Sequence, residues 1–505
     1  MSLLAVDMGS SSCKAVAFSE AGEVLAEKNY PYSPESPRPS WVEMDADRFW
    51  KALQTVASAL ARDLTRDPPR ALSISSHGET FVPVNAYQQP VASAILNMDN
   101  RAVTQANRLR DALGQNRLFE VTGLIVHPMY PIPKILWLRE NLQPIFQSAA
   151  RFLSVTDYLL TRMGLPAYID YSLASRFLAF DIRQQCWSEE ILAACDLAPQ
   201  RFAEPVPAGT VAGQLSSEAA RDLGLPRGTL VVVGGHDQPC AALGLGVLAP
   251  GRVSASLGTY ECLLVASEKP ATNKAALSAN LNSYCHVVPN RFVTIAYFPS
   301  GIMVDWFLRL LYADRLQSNS ASVDNLCSLL EAEAPAAPTG LLIAPHLLGT
   351  CNPDFNPHAT GVIAGLRPAT DPSVIYKGIL EGIACEFLLM VQLLERAVGP
   401  FRDVYLTGGG CRSKLGVKLR AALSGRRLHL MRCPEAVCLG TAILAGVAAG
   451  TYRGFSEAVD QVVQVAETVD PELELAKIYA AQLQQYRQLY SSLASLRAAQ
   501  ASLSS

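Results

Sequence analysis

The chain has 505 residues, more than a single hydrophobic core usually serves, so two domains are expected. Half of its residues are hydrophobic and 17% are charged; the formal net charge of −3, with no Lys/Arg run, argues against a nucleic-acid surface. No stretch of about 18 apolar residues suggests a membrane span, and the opening Met1–Asp7 lacks the basic start and apolar run of a secretory signal. None of the twelve cysteines forms a Cys-x-x-Cys pair, and Cys13, Cys240, Cys262 and Cys385 sit in apolar or Gly-rich contexts. Free thiols in a cytoplasmic protein are expected, rather than disulfides or a zinc site.

Leu3–Asp7 and Lys14–Ser19 read as strands joined by a Ser-rich turn, and Ala21-Gly22 leads into a third strand, Glu23–Glu27. A loop bearing Pro31, Pro34, Pro37 and Pro39 follows. Asp47–Leu64 has helical periodicity, with Phe49, Leu53, Val56 and Leu60 on one stripe. Asp67-Pro-Pro69 ends it, and Ala71–Ser75 is a strand running into Ser76-His77-Gly78-Glu79. Residues 102–202 are largely helical, broken at Pro128, Pro131 and Pro133, and long enough to be an insertion. Thr229–Val233 is an apolar strand ending in Gly234-Gly235, followed by His236-Asp237 and a small-residue helix to Gly244.

From Gly251 the opening logic returns as strand, Ser/Thr-Gly turn and strand, through Ala266. Ile375–Leu394 is a long apolar helix. Arg402–Thr407 is a strand ending in Gly408-Gly409-Gly410, Arg412–Leu423 is a helix, and Cys438–Gly446 is a second small-residue helix. A βββαβα pattern thus occurs over about 3–245 and again over about 252–450. The tail beyond Pro471 is helical by composition and should pack on the surface.

Three glycine turns and one acid carry the chemistry. The apolar strand fixes Asp237 at a sheet's C-terminal edge, where open α/β folds bind ligands, and Gly234 and Gly235 would let a ligand approach the backbone. The same acid would equally serve as a helix N-cap. In Asp7-Met-Gly-Ser-Ser-Ser-Cys-Lys14, Gly9 frees the backbone to curl. Hydroxyls and N–H groups can then donate to phosphate oxygens, Lys14 supplies a cation, and Asp7 suits Mg²⁺ through water. Ser256-Leu-Gly-Thr259 and Leu406-Thr-Gly-Gly-Gly410 are the other two turns, the latter able to lie against a flat adenine ring with Lys414 one turn into the helix. The absence of Gly-x-x-x-x-Gly-Lys-Ser/Thr excludes a P-loop, and no Gly-x-Gly-x-x-Gly follows the first strand.

Over residues 3 to about 450 these segments resemble the FGGY carbohydrate kinases, within the wider group of sugar kinases, actin and Hsp70-type ATPases. The resemblance rests on Asp7-x-Gly-Ser-Ser-Ser, Gly234-Gly-His-Asp237, Ser256-Leu-Gly-Thr259, Gly408-Gly-Gly410 and the specific stretch Met129–Asn141 around Lys134-Ile-Leu-Trp-Leu-Arg-Glu140; a second signature near Gly382-Ile383 is partly recognisable. It implies an α/β fold of two actin/Hsp70-like (ribonuclease H-like) domains flanking a central cleft, with helical insertions. The expected division is 1–249 with sugar site and base, 250–455 with nucleotide site, and 456–505 as a helical tail packed on both.

The resemblance further implies ATP and Mg²⁺ as cofactors and Asp237 as general base. Gly9, Ser11, Ser12, Lys14, Gly258 and Thr259 would contact phosphate, Gly301, Gly409, Gly410 and Lys414 the nucleotide, and Asp7 the metal. Ser76, His77, Gly78, Glu79 and Asp99 would contact the sugar; the loop is similar to the Met-His-Gly pattern of xylulose kinases with Ser76 in place of Met, while Ile95–Arg101 keeps Asp99 and Arg101 but lacks the family's Trp. The expected acceptor is a small ketose or polyol, D-xylulose first, with L-ribulose, L-fuculose, gluconate, erythritol and glycerol as rivals. A homodimer and a cytoplasmic location are expected from the family. A non-catalytic sugar sensor is the rival of another class. An Hsp70-like chaperone is disfavoured because no β-rich domain follows residue 450.

Overall fold

The computed structural model describes residues 2–318 and 320–493; the end of the expected tail, 494–505, lies outside them. The first half begins with a meander, β1 (Ser2–Met8), β2 (Ser12–Phe18) and β3 (Val24–Pro31), followed by α1 (Asp47–Asp63). Phe49, Leu53, Val56 and Leu60 of α1 are all buried, so the apolar stripe read from the sequence is the face that packs on the meander. Strand β4 (Pro69–Ser76) pairs parallel with β1, and after the insertion β5 (Val211–Gln214) and β6 (Leu230–His236) complete a six-stranded sheet in the order β5-β6-β4-β1-β2-β3. Helix α2 (Asp237–Gly244) follows directly.

The second half repeats this frame. Strands β7 (Arg252–Leu257), β8 (Tyr260–Ser267), β9 (Asn282–Cys285) and β10 (Phe292–Pro299) are antiparallel neighbours, and α3 (Gly301–Gln317) leaves the last of them. After α4 (Pro372–Val398), β11 (Asp403–Thr407) joins parallel to β7; α5 (Lys414–Ser424), β12 (Arg427–Met431) and α6 (Ala436–Ala448) follow. The sheet order is β9-β10-β8-β7-β11-β12, closed by β13 (Val465–Val469), so the stretch after residue 455 supplies an edge strand before its long helix α7 (Leu473–Ser492). That helix is anchored by the buried Tyr479 and Gln482, both donating to Glu381 of α4.

Each half exports its last helix to the other. Leu439, Ala442 and Ile443 of α6 pack with Leu3, Ala5 and Val16 of the first sheet. Ala241, Ala242 and Leu245 pack with Leu264, Val293 and Ile295 of the second. The two helices cross so closely that a Cβ on Gly244 would lie 2.0 Å from the Ala436 carbonyl oxygen and one on Gly440 1.8 Å from that of Cys240. This explains the small-residue composition of both helices. The insertion is mainly helical with short strands such as Phe180–Asp181, and touches the second half where Ser283 N–H donates to the Gly123 carbonyl.

Candidate active site

Parallel strands β1, β4 and β6 end side by side, Asp7 opposite Ser75 and Ser76 opposite His236. Three stretches far apart in sequence therefore deliver Asp7, the Ser76–Glu79 loop and Asp237 to one sheet edge. Asp237 is the first residue of α2, the N-cap position belongs to His236, and no side-chain capping bond is made, so capping does not explain the acid. Gly234 and Gly235 answer to packing rather than to a ligand: a Cβ would meet the Ile74 carbonyl oxygen at 2.0 Å and Val287 Cγ1 at 2.4 Å.

Asp237 is held by a chain of buried partners. Ser172 and Leu173 N–H groups donate to the Asp170 carboxylate, and the His236 N–H donates to Ser172 Oγ at 2.9 Å. The carboxyl of Asp237 is 23% exposed and has Oδ1 3.2 Å from His236 Nε2. Burial, and then the neighbouring Asp7 and Glu79 charges, push it well above the usual carboxylate range. Burial likewise raises Asp7 to about 6, against the opposing hydrogen bond that Ser75 Oγ donates to it at 3.0 Å.

Around Asp237 lies a nest of buried polar atoms without hydrogen-bond partners: Asp237 Oδ1, His236 Nδ1, Arg176 Nη1, Tyr130 Oη and Tyr284 Oη. Their side chains adjoin through Arg176 and His236. The Arg176 guanidinium lies 4.6 Å from the Tyr284 ring centre and 5.3 Å from that of Tyr130, and the His236 and Tyr284 rings are 5.6 Å apart. Gly78 fits closely here, since a Cβ would sit 3.0 Å from the Arg176 side chain and 3.1 Å from that of His236. Orphaned buried polar groups cost free energy and call for a partner, so five in one place fit a polyhydroxylated ligand. Tyr284 belongs to the second half, so the nest spans both.

The expected sugar contacts divide. Glu79 belongs to the nest, its carboxylate paired with Arg176 Nε at 2.5 Å; burial opposes its ionisation but Arg176, His236 and Lys134 prevail and lower its pKa. His77 does not offer its ring: Nδ1 bonds the Met8 carbonyl and Nε2 the Thr80 hydroxyl, each at 2.8 Å. The ring is a strut between β1 and the loop. Ser76 Oγ donates to the carbonyl of His77. Asp99 is fully buried away from the nest, accepting from Val42 N–H and paired with Arg101, which also reaches Glu43 and stacks 3.9 Å from the Trp41 ring centre.

The second-half turns gather on a cavity of about 460 Å³ whose wall includes Gly258, Thr259, Gly301, Gly409 and Gly410. A Cβ on Gly301 would lie 2.5 Å from the Gly258 carbonyl oxygen, and Gly408 has φ +95° against Leu257. Beneath them Arg420 forms a buried double contact to Glu261, which also accepts from Ser300 Oγ at 2.5 Å. One pair thereby ties the β8 turn, the start of α3 and α5 together. Lys414 is exposed and outside the cavity wall; Ser413 and Arg412 take its place, and Arg412 pairs with Asp324 across the wall at 2.8 Å.

The first-half turn faces the second half. Gly9 N–H donates to the Ser12 carbonyl, curling the loop, while Ser11 is exposed and Ser12 half-buried. Lys14 Nζ reaches Glu435 beside α6 at 2.8 Å, so the expected phosphate cation is here held by a carboxylate of the other half. Burial raises Cys262, three residues past Thr259, to about 12. Arg176, His236, Tyr130, Tyr284 and Glu261 were not singled out from the sequence.

Two family models cover the chain: the N-terminal domain of FGGY carbohydrate kinases matches residues 2–244 and the C-terminal domain residues 253–449. The chain is 27% identical to a xylulose kinase of Escherichia coli over 98% of its own length and 100% of that protein. It is 25% identical to a gluconokinase of Bacillus licheniformis over 94% and 93%. A ligand-bound xylulose kinase structure from Lactobacillus acidophilus superposes with a TM-score of 0.89 at 20% identity, covering 98% of each chain. The fold is thus the two-domain α/β kinase architecture expected. Among the described residues no helix is long and apolar enough to cross a membrane.

Proposed function

Because the chain belongs to the FGGY family of carbohydrate kinases, and is therefore an ATP-dependent carbohydrate kinase, we propose that it phosphorylates a primary hydroxyl of a small ketose or polyol, D-xylulose first, with Asp237 as general base. The observation that carries this reading is the nest of partnerless polar atoms around Asp237. A sugar's alternating donors and acceptors would satisfy phenol, guanidinium, imidazole and carboxylate together. An acid with an elevated pKa is matched to accepting a hydroxyl proton near neutral pH.

The nucleotide fits the glycine-shaped cavity, where Gly258, Gly301, Gly409 and Gly410 leave backbone close to the ligand. Thr259 and the Ser11–Ser12 turn face phosphate from opposite halves. Mg²⁺ suits Asp7: the charge of this carboxylate adds to the rise of the Asp237 pKa, Glu435 adds to that of Asp7, and a divalent ion would relieve this crowding. Among the described residues no three His, Cys, Asp or Glu side chains form a metal cage, which agrees with an ion bound by one carboxylate, phosphate oxygens and water. Bound there, it would supply charge neutralisation on the transferred phosphoryl group. In this division of labour residues 1–249 hold the base and most of the acceptor site, with Tyr284 added from the other half, and 250–455 hold the nucleotide. A coupled ADP-release screen across ketopentoses, ketohexoses, polyols and sugar acids, with and without Mg²⁺, tests the reading; binding of sugar without ADP release would leave a sugar sensor instead.

A further inference from the structure

The charge balance of the nest decides which acceptors it can take. Glu79 sits at φ +60°, a left-handed conformation uncommon for a residue with a side chain, and this turns its carboxylate onto Arg176. Both side chains are nearly inaccessible, at 6% and 7% exposure. The guanidinium is therefore neutralised on its Nε side and keeps one partnerless donor, Nη1. The two nearby lysines have other partners. Lys134 Nζ donates to the carbonyls of Glu79 and Leu96, and Lys14 is paired with Glu435.

At the nest the one guanidinium is already matched by Glu79, and the Asp237 carboxyl lies 3.2 Å from His236 Nε2 rather than beside a second cation. Burial lowers His236 to about 3, leaving it uncharged near neutral pH. An anionic acceptor would find the guanidinium of the nest already paired with Glu79, whereas hydroxyl and carbonyl oxygens would find Nη1 and two phenols as donors.

We propose that the Arg176–Glu79 pair makes this site selective for uncharged acceptors and excludes aldonates, Arg176 acting as a neutralised hydrogen-bond donor rather than as a carboxylate clamp. The inference rests on the proposed kinase reading and separates the xylulose-kinase from the gluconokinase branch of it.

The test compares kcat/KM for D-xylulose, D-gluconate and D-gluconamide, the last differing from gluconate in charge at nearly constant shape, in the wild-type protein with ATP and Mg²⁺. The expected result is xylulose over gluconate by 100-fold or more, and gluconamide over gluconate by at least tenfold. Gluconate equal to or better than its amide overturns the charge argument while leaving the kinase reading intact; no turnover with any carbohydrate overturns the kinase reading instead. Glu79→Gln, which unmasks the guanidinium, should narrow the xylulose-to-gluconate ratio by at least tenfold. An unchanged ratio in folded variant protein contradicts the role given to the pair, and the amide comparison stands on wild-type protein alone should that variant not fold.

Discussion

The two halves share a strand frame but build their sites from opposite materials. In the second half the cavity proposed for the nucleotide is shaped by backbone: glycines approach carbonyl oxygens, and the buried Glu261–Arg420 pair with Ser300 beneath them is fully hydrogen-bonded. The nest proposed for the acceptor, drawn mainly from the first half with Tyr284 from the second, is made of side chains, with several polar atoms left unsatisfied. The finished site can serve any member of a nucleotide-using family. The unfinished one holds unsatisfied polar groups, and on the proposed reading substrate choice would reside there.

The sharpest way to break this contrast is Asp237→Asn. It should lower kcat by roughly 10²–10⁴-fold, the usual worth of a positioned base, while the Kd for ATP measured by calorimetry stays within about twofold. Next in size, Glu261→Gln strips a buried partner from Arg420 and should destabilise the fold by about 3–5 kcal/mol in urea unfolding. Activity per folded molecule should fall through KM for ATP and not through KM for sugar. Gly301→Ala forces a Cβ against the Gly258 carbonyl and should raise KM for ATP about tenfold, again sparing the acceptor.

A smaller effect has the opposite sign on stability. The folded pKa of Asp7 is raised to about 6 from 3.8, chiefly by burial. Stability from the protonated carboxyl is thus full below pH 3.8 and is lost as pH rises through 6. Asp7→Asn should be nearly neutral at low pH and, above pH 6, raise Tm by roughly 2–4 °C while abolishing Mg²⁺-dependent turnover. Thermal melts across pH 4–8 measure this, and a variant that melts below wild type at pH 8 would contradict it. The elevated Asp237 pKa also predicts that log kcat/KM falls with unit slope on the acid side, beginning above the ordinary carboxylate range.

Much of the frame was legible because its signals are local. The α1 stripe, the glycine turns and the small-residue helices each follow from spacing or composition. Strands β10 and β13 were not read. Phe292–Pro299 is almost continuously apolar and lacks a period, and Val465–Val469 is a largely exposed edge whose identity comes only from pairing with β12. At the site, Asp237 and the loop glycines were visible, but what surrounds them was not. Arg176 closes a five-residue helix in the insertion and Tyr284 lies in the other half; only folding brings them together. The sequence could not show that both His77 nitrogens and the Asp99 carboxylate are consumed within the protein, since that depends on which backbone carbonyl or guanidinium lies opposite.

The most direct measurement is a crystal structure with a non-hydrolysable ATP analogue and D-xylulose bound together. The account predicts an acceptor hydroxyl within hydrogen-bond distance (about 2.6–3.2 Å) of the Asp237 carboxylate, with Arg176 Nη1 and the Tyr284 hydroxyl donating to other sugar oxygens. A sugar bound elsewhere, or one that leaves Asp237 out of reach of every hydroxyl, would contradict it.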